Sequence, residues 1–477
     1  MKFTILSHAG IAIEHGAIQV VMDPWLVGSC YWRSWWNFPP APESLINDLK
    51  PDFLYLTHLH WDHFHGPSLR RLFKTSTPIL VPKVPTRRMV RDLEWLGFRN
   101  VIEMPHGTAF QLGPEFSLRS YQCGPAVDSA AVITGGGVTL FNCNDCKFFG
   151  LPLAQITARF PRIDFVLRSH SSAAPIPYCV DDYSRVFPEL RSQQHYIDEF
   201  CRFALHVGAR YAIPFASNHC FLHRETEQFN RTSVSPEDVR SHYEMLTSRT
   251  GQNSQCVVMA PGSSWSDADG FAVVPFDYSR REQYVEQLRE RHAGTLQGQY
   301  EKEESTLADF GAFQRYFSSL LAALPWIFSR WLTGRVMFRT RDKEGLHHWL
   351  VDLKRRTIQV ASANETADVT IETQPLVLND CTTLNMFSVW GASKRMRISL
   401  ASPDRLRTLN SLLTMLDLYE LETLPLRKNF AARSLAVRLR RWRDAAEAAR
   451  LFLKHVVLRR PFEVSALYPA PGRADGA

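Results

Sequence analysis

The sequence predicts a mixed α/β sandwich, with helices on the outer faces of two sheets, followed by a smaller α+β domain. Strand-like segments open the chain in a block, and later strands alternate with helices, which is typical of layered sandwiches. Near residue 275 the sequence changes from strand-like segments to a charged, helix-forming one, and a chain of 477 residues is too long for a single hydrophobic core of ordinary size. We therefore expect a catalytic domain over residues 1–270, a helical connector over 271–330 and a C-terminal domain over 331–477.

The individual elements follow from the patterning. Short apolar runs bounded by Gly, Pro or Asn indicate strands, and apolar residues three and four apart indicate helices. In the first domain the pattern predicts strands at residues 3–6, 11–14, 17–22, 53–56, 78–81, 116–121, 131–134, 138–142, 163–167 and 211–214, and helices at 67–73, 86–96 and 196–207. Beyond it the pattern predicts helices at 279–300 and 313–332, strands at 336–339, 348–352, 357–360, 369–372 and 397–400, a helical stretch from 403, and a disordered tail at 469–477.

The composition is that of an ordinary globular protein, and it limits the possible classes. No stretch reaches the roughly 20 apolar residues of a membrane span, and the chain enters strand-like sequence at once, so no leader is predicted. Nine cysteines without framework spacing favour reduced thiols and a cytoplasmic location. The net charge of +7 is concentrated in residues 427–460, where eleven basic and two acidic residues give +9. That segment is interpreted either as a patch for phosphates, acidic lipids or a partner, or as a solvated helical face.

The strongest motif is the run His-x-His-x-Asp-His at residues 58–63, between a predicted buried strand and a predicted helix. His58 and His60 are two residues apart and can reach one ion. Asp62 and His63 can then turn toward a second ion close by. Imidazoles suit borderline divalent metals and carboxylates suit harder ones, and two adjacent metals can activate water or dioxygen. The motif therefore predicts a binuclear metal site.

This run, with the hairpin and the Asp-Pro-Trp-Leu turn at residues 23–26, resembles the metallo-β-lactamase superfamily over roughly residues 1–270. The resemblance implies an αββα sandwich and a bridging aspartate after a later strand, which Asp145 matches. It also implies a third histidine before that aspartate, but Asp128 is the only strong ligand type there. His170 is predicted to complete the site from another strand end. Of the two histidines after the strand at 211–214, His223 is favoured over His219.

Within the superfamily the chain resembles the metallo-β-lactamase part of CMP-N-acetylneuraminate hydroxylase. The shared features are the tryptophan-rich loop after residue 26, the motif at 58–63, the Asn-Asp-Cys turn at 144–146 and a histidine eight residues after Phe215. The two-part Rieske signature, Cys-x-His with Cys-x-x-His, is absent. The pattern is similar to diiron monooxygenases of this fold that act on diterpenoid coenzyme A thioesters in platensimycin and platencin biosynthesis. Those resemblances imply iron, dioxygen and a reductant.

Aromatic residues are dense beside the motif. Such residues could form a dry wall for a lipophilic or acyl substrate, or could simply pack in the core. The candidate substrate-side or supporting residues are Trp25, Trp32, Trp36, Trp61 and His219. Residues 330–400 resemble, weakly, a sterol-carrier-type lipid-binding domain, and the basic segment could meet the phosphates of coenzyme A or a carrier protein. A structural or dimerising role is the alternative for this region.

The sequence thus leads to a nonheme diiron monooxygenase that hydroxylates a bulky hydrophobic natural-product intermediate, possibly a coenzyme A thioester. Two irons, dioxygen and an external electron donor would be needed, because no flavin or iron–sulfur motif is present. The predicted ligands are His58, His60, Asp62, His63, Asp145, His170 and His223, and the candidate catalytic carboxylates are Asp62 and Asp128. The alternatives are a zinc-dependent hydrolase of an ester, thioester, amide or phosphodiester, and a non-enzymatic lipid- or acyl-binding protein. No nucleic acid partner is expected, and a homodimer is possible.

Overall fold

In the computed structural model the protein is described over residues 1–124, 128–171, 173–183, 193–325, 333–458 and 467–468. Its N-terminal part contains two large sheets and one small one. The strands are β1 (Lys2–Ile5), β2 (Ile11–His15), β3 (Ile18–Met22), β4 (Ser29–Cys30), β5 (Trp35–Asn37), β6 (Phe53–Tyr55), β7 (Ile79–Pro82), β8 (Val101–Met104), β9 (Ala109–Gly113), β10 (Phe116–Cys123), β11 (Asp128–Gly135), β12 (Val138–Asn144), β13 (Phe165–Ser169), β14 (Tyr211–Phe215), β15 (His219–Phe221), β16 (Gln255–Cys256), β17 (Ser264–Ser266) and β18 (Gly270–Ala272).

The two large sheets face each other. The first has the order β18-β17-β1-β2-β3-β6-β7-β8, the second β16-β14-β13-β12-β11-β10-β9, and β15-β5-β4 form the small sheet. The helices are α1 (Glu43–Asn47), α2 (Gly66–Leu72), α3 (Arg88–Trp95), α4 (Gly150–Arg159), α5 (Gln193–Val207) and α6 (Pro236–Thr250). Apolar side chains of both sheets interleave between them; the rings of Phe3 and Phe165, for example, meet edge to face at 5.0 Å. Helices α1 to α3 cover the outer face of the first sheet, and α4 to α6 that of the second. The predicted sandwich is confirmed.

Parallel strands in the middle of each sheet decide where the site forms. β3, β6, β7 and β8 run parallel in the first sheet, and β12, β13 and β14 in the second. The carboxyl ends of parallel strands meet at one edge of a sheet, and the loops there are free to carry ligands because the sheet itself is rigid. The motif at 58–63 follows β6, and Asp145 follows β12.

The C-terminal part is an α+β domain, as predicted. Its strands are β19 (Arg335–Asp342), β20 (Gly345–Asp352), β21 (Thr357–Val360), β22 (Val369–Glu372) and β23 (Arg397–Leu400), in the order β21-β20-β19-β22-β23. The helices are α7 (Arg281–Arg291), α8 (Ala293–Ser305), α9 (Phe310–Ala323), α10 (Pro375–Leu384), α11 (Phe387–Ser393), α12 (Leu406–Glu420), α13 (Ala432–Arg440) and α14 (Trp442–Leu451). Short turns of helix lie at Leu426–Phe430 and Phe452–Val457.

Two predicted elements differ in detail. The helix predicted at 279–300 is two helices, α7 and α8, because the chain bends at His292. The helix predicted at 313–332 is observed as α9, which begins at Phe310 where Asp309 caps it; residues 326–332 lie outside the described residues. The predicted tail at 469–477 also lies outside them. Among the described residues, no helix is both long and apolar enough to cross a bilayer.

The C-terminal sheet and its helices share one apolar core with the loops of the catalytic domain. Trp25, Tyr31 and Trp35 belong to the same buried cluster as Phe313 and Trp390. The tryptophan-rich loop is therefore covered by the C-terminal domain rather than by solvent. The cover matters for function because this loop borders the histidine motif.

Candidate metal centre

The loop of the motif is held by a buried aspartate from the end of β3. The Asp23 carboxylate accepts hydrogen bonds from the backbone N–H and the hydroxyl of Thr57, at 2.8 and 2.7 Å. Asp23 is fully buried and has a φ of 44°, in the left-handed region. The Asp-Pro-Trp-Leu turn thus fixes the start of the motif, where strand β6 ends.

Three ligand-type side chains, His58, His60 and Asp145, form what we term the first triad. The Nε2 of His58 lies 2.8 Å from Nδ1 of His60 and 3.9 Å from Oδ2 of Asp145. His58 is fully buried, and burial together with the neighbouring His63 lowers its pKa well below the ordinary value. A neutral imidazole is the form that binds a metal, so this environment suits a ligand.

His8, Asp62 and His63 form the second triad, and all three are buried. The Oδ2 of Asp62 lies 3.0 Å from Nε2 of His8 and 3.3 Å from Nε2 of His63. Burial acts to raise the pKa of Asp62, but the two adjacent imidazoles, that of His63 above all, outweigh it, so the pKa is well below normal. The Nε2 of His63 is also 3.4 Å from Oδ2 of Asp145. Asp145 therefore lies between the two triads, in the place predicted for a bridging carboxylate.

The buried ring nitrogens test whether a cation fits here. Within the described part of the chain, neither ring nitrogen of His8 makes a hydrogen bond, and nor does Nε2 of His63, although carboxylate oxygens lie beside them. A buried polar atom without a partner costs free energy, and a shared cation would satisfy all of them at once. Four imidazoles and two carboxylates in two adjacent groups are a fitting donor set for two divalent metal ions.

Hydrogen bonds from behind orient these ligands. The Nδ1 of His63 lies 2.8 Å from Oδ2 of Asp23, which also accepts from the side chain of Asn144 at 2.7 Å. If Nδ1 carries the proton, Nε2 points its lone pair toward Asp62 and Asp145. Such outer carboxylates fix the tautomer of a ligating histidine.

The buried hydroxyl of Tyr31 donates to Oδ1 of Asp62, and burial beside that carboxylate raises the pKa of Tyr31 well above normal. We expect Tyr31→Phe to weaken metal binding about 10- to 100-fold, because Asp62 loses the partner that orients it. A competition titration with a chromophoric chelator measures the affinity. Tyr243→Phe is the matched control, because Tyr243 is a buried tyrosine bonded to Ser254, whose own backbone partner is Ala209. Equal affinities in both variants would contradict the assigned role of Tyr31.

His8 was not predicted from the sequence. It follows β1 as directly as the motif follows β6, and its ring lies 5.3 Å from that of His219 and 6.0 Å from that of His63. The signal that could have identified it is its position at a strand end beside a small-residue turn, Ala9-Gly10. A single histidine near the N-terminus carries little weight without the spatial context.

The predicted ligand His170, the predicted supporting residue His219 and the candidate catalytic Asp128 lie around the triads rather than in them. His219 stacks on Trp35 with ring centroids 3.6 Å apart, and among the described residues its buried Nδ1 has no hydrogen-bond partner. The ring nitrogens of His170 likewise make no hydrogen bond to a described residue, and burial lowers the pKa of His170 to about 3. Asp128 lies on the His60 and Asp145 side, and burial raises the pKa of its carboxyl.

The prediction of His223 as a ligand is not supported by its surroundings. Its Nε2 lies 3.2 Å from a carboxylate oxygen of Glu303, and its Nδ1 accepts the backbone N–H of Glu225 at 3.2 Å. Both ring nitrogens are thus occupied within a buried network, on the side of α8. His223 therefore stays a prediction that these contacts do not favour, whereas His219 is the histidine of this loop whose ring lies beside His8 of the second triad.

That network joins the catalytic domain to the C-terminal domain. The guanidinium of Arg395, 1% exposed, donates to Glu303 at 2.9 Å, to Glu225 at 2.7 Å and to the carbonyl of Trp32 at 2.9 Å. Burial acts to raise the pKa of Glu303, but His223 and Arg395 lower it to about 2. The guanidinium of Arg395 thus pairs with two carboxylates inside the protein, and its hydrogen bond to the carbonyl of Trp32 holds the tryptophan-rich loop.

The predicted aromatic residues divide into two sets. Trp61 stacks on Tyr31 with centroids 5.7 Å apart and lies 5.0 Å from Trp32, whose indole N–H donates to Asp380 of α10. Trp25 and Trp35 lie beside His8. Trp36 instead faces the connector, where its ring lies 4.1 Å from that of His292. All but Trp36 therefore form one apolar wall next to the triads.

The site opens on the side of Asp145. The Asp145 side chain is 24% exposed, whereas those of His8, His58, Asp62 and His63 are at most 4% exposed. His60, Trp61 and Asp128 are partly exposed on the same side. A substrate would therefore approach past these residues.

Two kinds of known protein are similar to parts of this chain in sequence. No protein-family model matches the chain. It is 31% identical over 252 residues to a protein named as a Rieske 2Fe-2S iron–sulfur protein of Mycolicibacterium smegmatis. The aligned region covers 50% of this chain and 48% of that protein. It is 28% identical over 152 residues to cytidine monophosphate-N-acetylneuraminic acid hydroxylase of Mus musculus. That aligned region covers 31% of this chain and 26% of the hydroxylase. The chain thus spans about half the length, or less, of these curated relatives. The predicted resemblance to this hydroxylase branch is confirmed.

Solved structures are similar at low identity. An isothiocyanate hydrolase from Delia radicum gut bacteria covers 57% of this chain and 100% of its own, with a TM-score of 0.42 and 13% identity. A variant of the CmlA β-hydroxylase covers 55% of this chain and 53% of its own, with a TM-score of 0.39 and 16% identity. A sterol carrier protein 2-like protein from Aedes aegypti covers 22% of this chain and 91% of its own, with a TM-score of 0.19 and 14% identity.

Proposed function

We propose that this chain, an enzyme of the metallo-β-lactamase fold, is a nonheme diiron monooxygenase that hydroxylates a bulky hydrophobic substrate. The observation that carries the proposal is the pair of triads that meet at Asp145, next to an apolar wall of aromatic side chains. Histidine with carboxylate is a donor set that iron accepts. A buried apolar wall suits a lipophilic substrate and keeps competing water away.

The residues then have distinct tasks. The first and second triads would each hold one iron, with the Asp145 carboxylate between them. Irons bound there would supply the activation of dioxygen for insertion of one oxygen atom into a C–H bond. Tyr31 and Asp23 orient Asp62 and His63. Asp128, whose carboxyl has a raised pKa, stands at the open side and is suited to hold a proton there. Electrons would come from a separate donor.

The relatives support an oxidative reaction. One is named a hydroxylase and another an iron–sulfur protein, and both names refer to redox chemistry. The substrate is proposed on the shape and polarity of the site alone. A cavity of about 510 Å³ lies beside the loop after Asp145, lined by Phe148, Phe149 and Leu451 among others. Its size and mostly apolar lining fit an acyl or polycyclic group, such as that of a natural-product thioester.

A zinc-dependent hydrolase is the second candidate, because the same donor set holds zinc. In that case Asp128 would serve as the proton-holding group for an attacking water. The two functions differ in metal identity, so one measurement separates them.

The test is elemental analysis of protein produced with iron and zinc both supplied, together with Mössbauer spectroscopy of iron-57-enriched protein. We expect about two irons per chain in a coupled cluster, and loss of that cluster when His58 and His60 are both replaced by alanine. Incorporation of one oxygen-18 atom from labelled dioxygen into a long-chain acyl-coenzyme A probe, with a chemical reductant present, would extend the result to activity. Two zincs and no iron would reject the oxygenase and favour the hydrolase.

A further inference from the structure

The C-terminal helical segment at residues 426–458, which we term the C-terminal helical patch, exposes an unusual number of apolar side chains. Eighteen large apolar side chains are exposed in the described part of the chain, and nine of them lie in this patch. They are Leu426, Phe430, Leu435, Leu439, Trp442, Phe452, Leu453, Val457 and Leu458. Apolar groups concentrated in this way on a surface mark a contact with something else.

The helices of the patch keep most of their large apolar side chains away from the protein. On α13 the buried positions are Ser434 and Val437, with Arg441 just beyond its end, while Leu435 is 44% and Leu439 73% exposed. Leu435 and Leu439 are four residues apart, so they share one face, and Trp442, 53% exposed, follows three residues later. An ordinary surface helix buries its apolar face instead.

Polar anchors explain how the patch holds this orientation. Arg433 donates to the Glu103 carboxylate at 2.9 Å and to the carbonyl of Val84 at 2.8 Å. Arg441 reaches the carbonyl of Gly124, and Glu447, only 5% exposed, accepts the backbone N–H of Leu151 at 3.1 Å. These contacts fix the helices on the catalytic domain from the inner side. They therefore hold the apolar face of the patch toward the solvent.

The charge of the patch identifies what would cover that face. Residues 426–458 contain nine basic and two acidic residues, a balance of +7, which equals the net charge of the whole chain. The rest of the chain is therefore neutral. Arg427, Lys428, Arg438, Arg440 and Arg450 are exposed around the apolar residues. Exposed tryptophan and leucine ringed by arginine and lysine is the pattern of a helix that lies in the interface of an anionic bilayer.

We propose that the C-terminal helical patch docks the protein on the surface of membranes that contain anionic phospholipids. A second copy of the chain is a poorer occupant, because a twofold interface would bring two patches of the same +7 charge together. An anionic lipid surface meets both features of the patch, since its headgroups pair with the basic side chains and its acyl region receives the apolar ones. The proposal is independent of the reaction at the metal centre.

The experiment is co-sedimentation of the full chain with two sets of vesicles, one of pure phosphatidylcholine and one of phosphatidylcholine mixed with the anionic lipid phosphatidylglycerol. We expect binding to the anionic vesicles that weakens as salt is raised. Leu439→Gln with Trp442→Gln should lower the partition coefficient at least about tenfold, because buried apolar area drives insertion. Arg440→Glu with Arg450→Glu should lower it comparably by charge.

Matched controls keep the result specific. Trp95 is 80% exposed on α3, so Trp95→Gln removes an equally exposed indole elsewhere. Arg70→Glu with Arg99→Glu changes the net charge by the same amount at other exposed positions. Both controls should bind vesicles like the unchanged protein. Absence of vesicle binding, equal binding by all variants, or a concentration-dependent dimer that only Leu439→Gln with Trp442→Gln disrupts would overturn the proposal. Metal content serves as the check that each variant is folded.

Discussion

With His8→Ala, the protein is expected to bind about one equivalent of metal instead of two. His8 supplies one of the three donors of the second triad and lies 3.0 Å from Asp62, so its removal leaves that position with two donors. Loss of a donor from such a site weakens it beyond the 10- to 100-fold typical of an outer-shell change. Any activity that needs both metals should fall at least as far. Elemental analysis after dialysis against a mild chelator measures the stoichiometry.

His223→Gln is the control for this prediction, because it removes the imidazole that the sequence favoured as a ligand while keeping a side chain that can hydrogen-bond to Glu303. The protein with His223→Gln should retain two equivalents. If it loses one equivalent and the protein with His8→Ala keeps two, the ligand set derived from the sequence is right and the one derived from the structure is wrong.

Arg395→Met is expected to destabilise the protein by about 3–5 kcal/mol, since it leaves a buried carboxylate without its cation. Arg395 is 1% exposed and contacts Glu303, Glu225 and the backbone of Trp32. The loss should be complete above the unfolded pKa of a glutamate, about 4.3. It should shrink as the pH falls toward about 2, the folded pKa of Glu303, because protonation removes the charge in both proteins.

Arg397→Met is the matched control, two residues further along the chain at the start of β23. Arg397 pairs with Asp181 but its side chain is 69% exposed, so its removal should cost about 0–1 kcal/mol. Chemical unfolding followed by tryptophan fluorescence, at pH 7 and at several lower values, compares the two. Equal losses for Arg395→Met and Arg397→Met would contradict the importance assigned to the buried network.

The sequence predicted the layers and the motif because both rest on local signals. Alternation and turn residues predicted the strands, and the spacing of His58, His60, Asp62 and His63 indicated two ions. Asp145 was implied by the resemblance to the metallo-β-lactamase superfamily, in which an aspartate follows a later strand. The strands and the motif depend on positions a few residues apart, where periodicity and strand ends are informative.

The remaining parts depend on contacts between distant segments. His8 reaches Asp62 across 54 residues of chain, and His223 meets Glu303 across 80. Nothing in the spacing of Asn218 to His223 shows which histidine turns toward the second triad, because His223 is held by Glu303 of α8, which is distant in sequence. Trp36 likewise looked like its neighbours, but it alternates to the other side of β5 and packs on the connector.

The shared core of the two domains also sets an order of events while the chain is being made. Tyr31, which orients Asp62, and Trp32, which borders the site, pack in a cluster that includes residues from α9 to α12. The ribosome makes α9 to α12 about 300 residues after Tyr31 and Trp32, at about 5–20 residues per second. The motif at 58–63 is thus made well before the helices that complete its surroundings. Metal ions held by the two triads would accordingly be retained only after α12 is made, because a chain released before α12 would carry the candidate ligands without the environment that holds them.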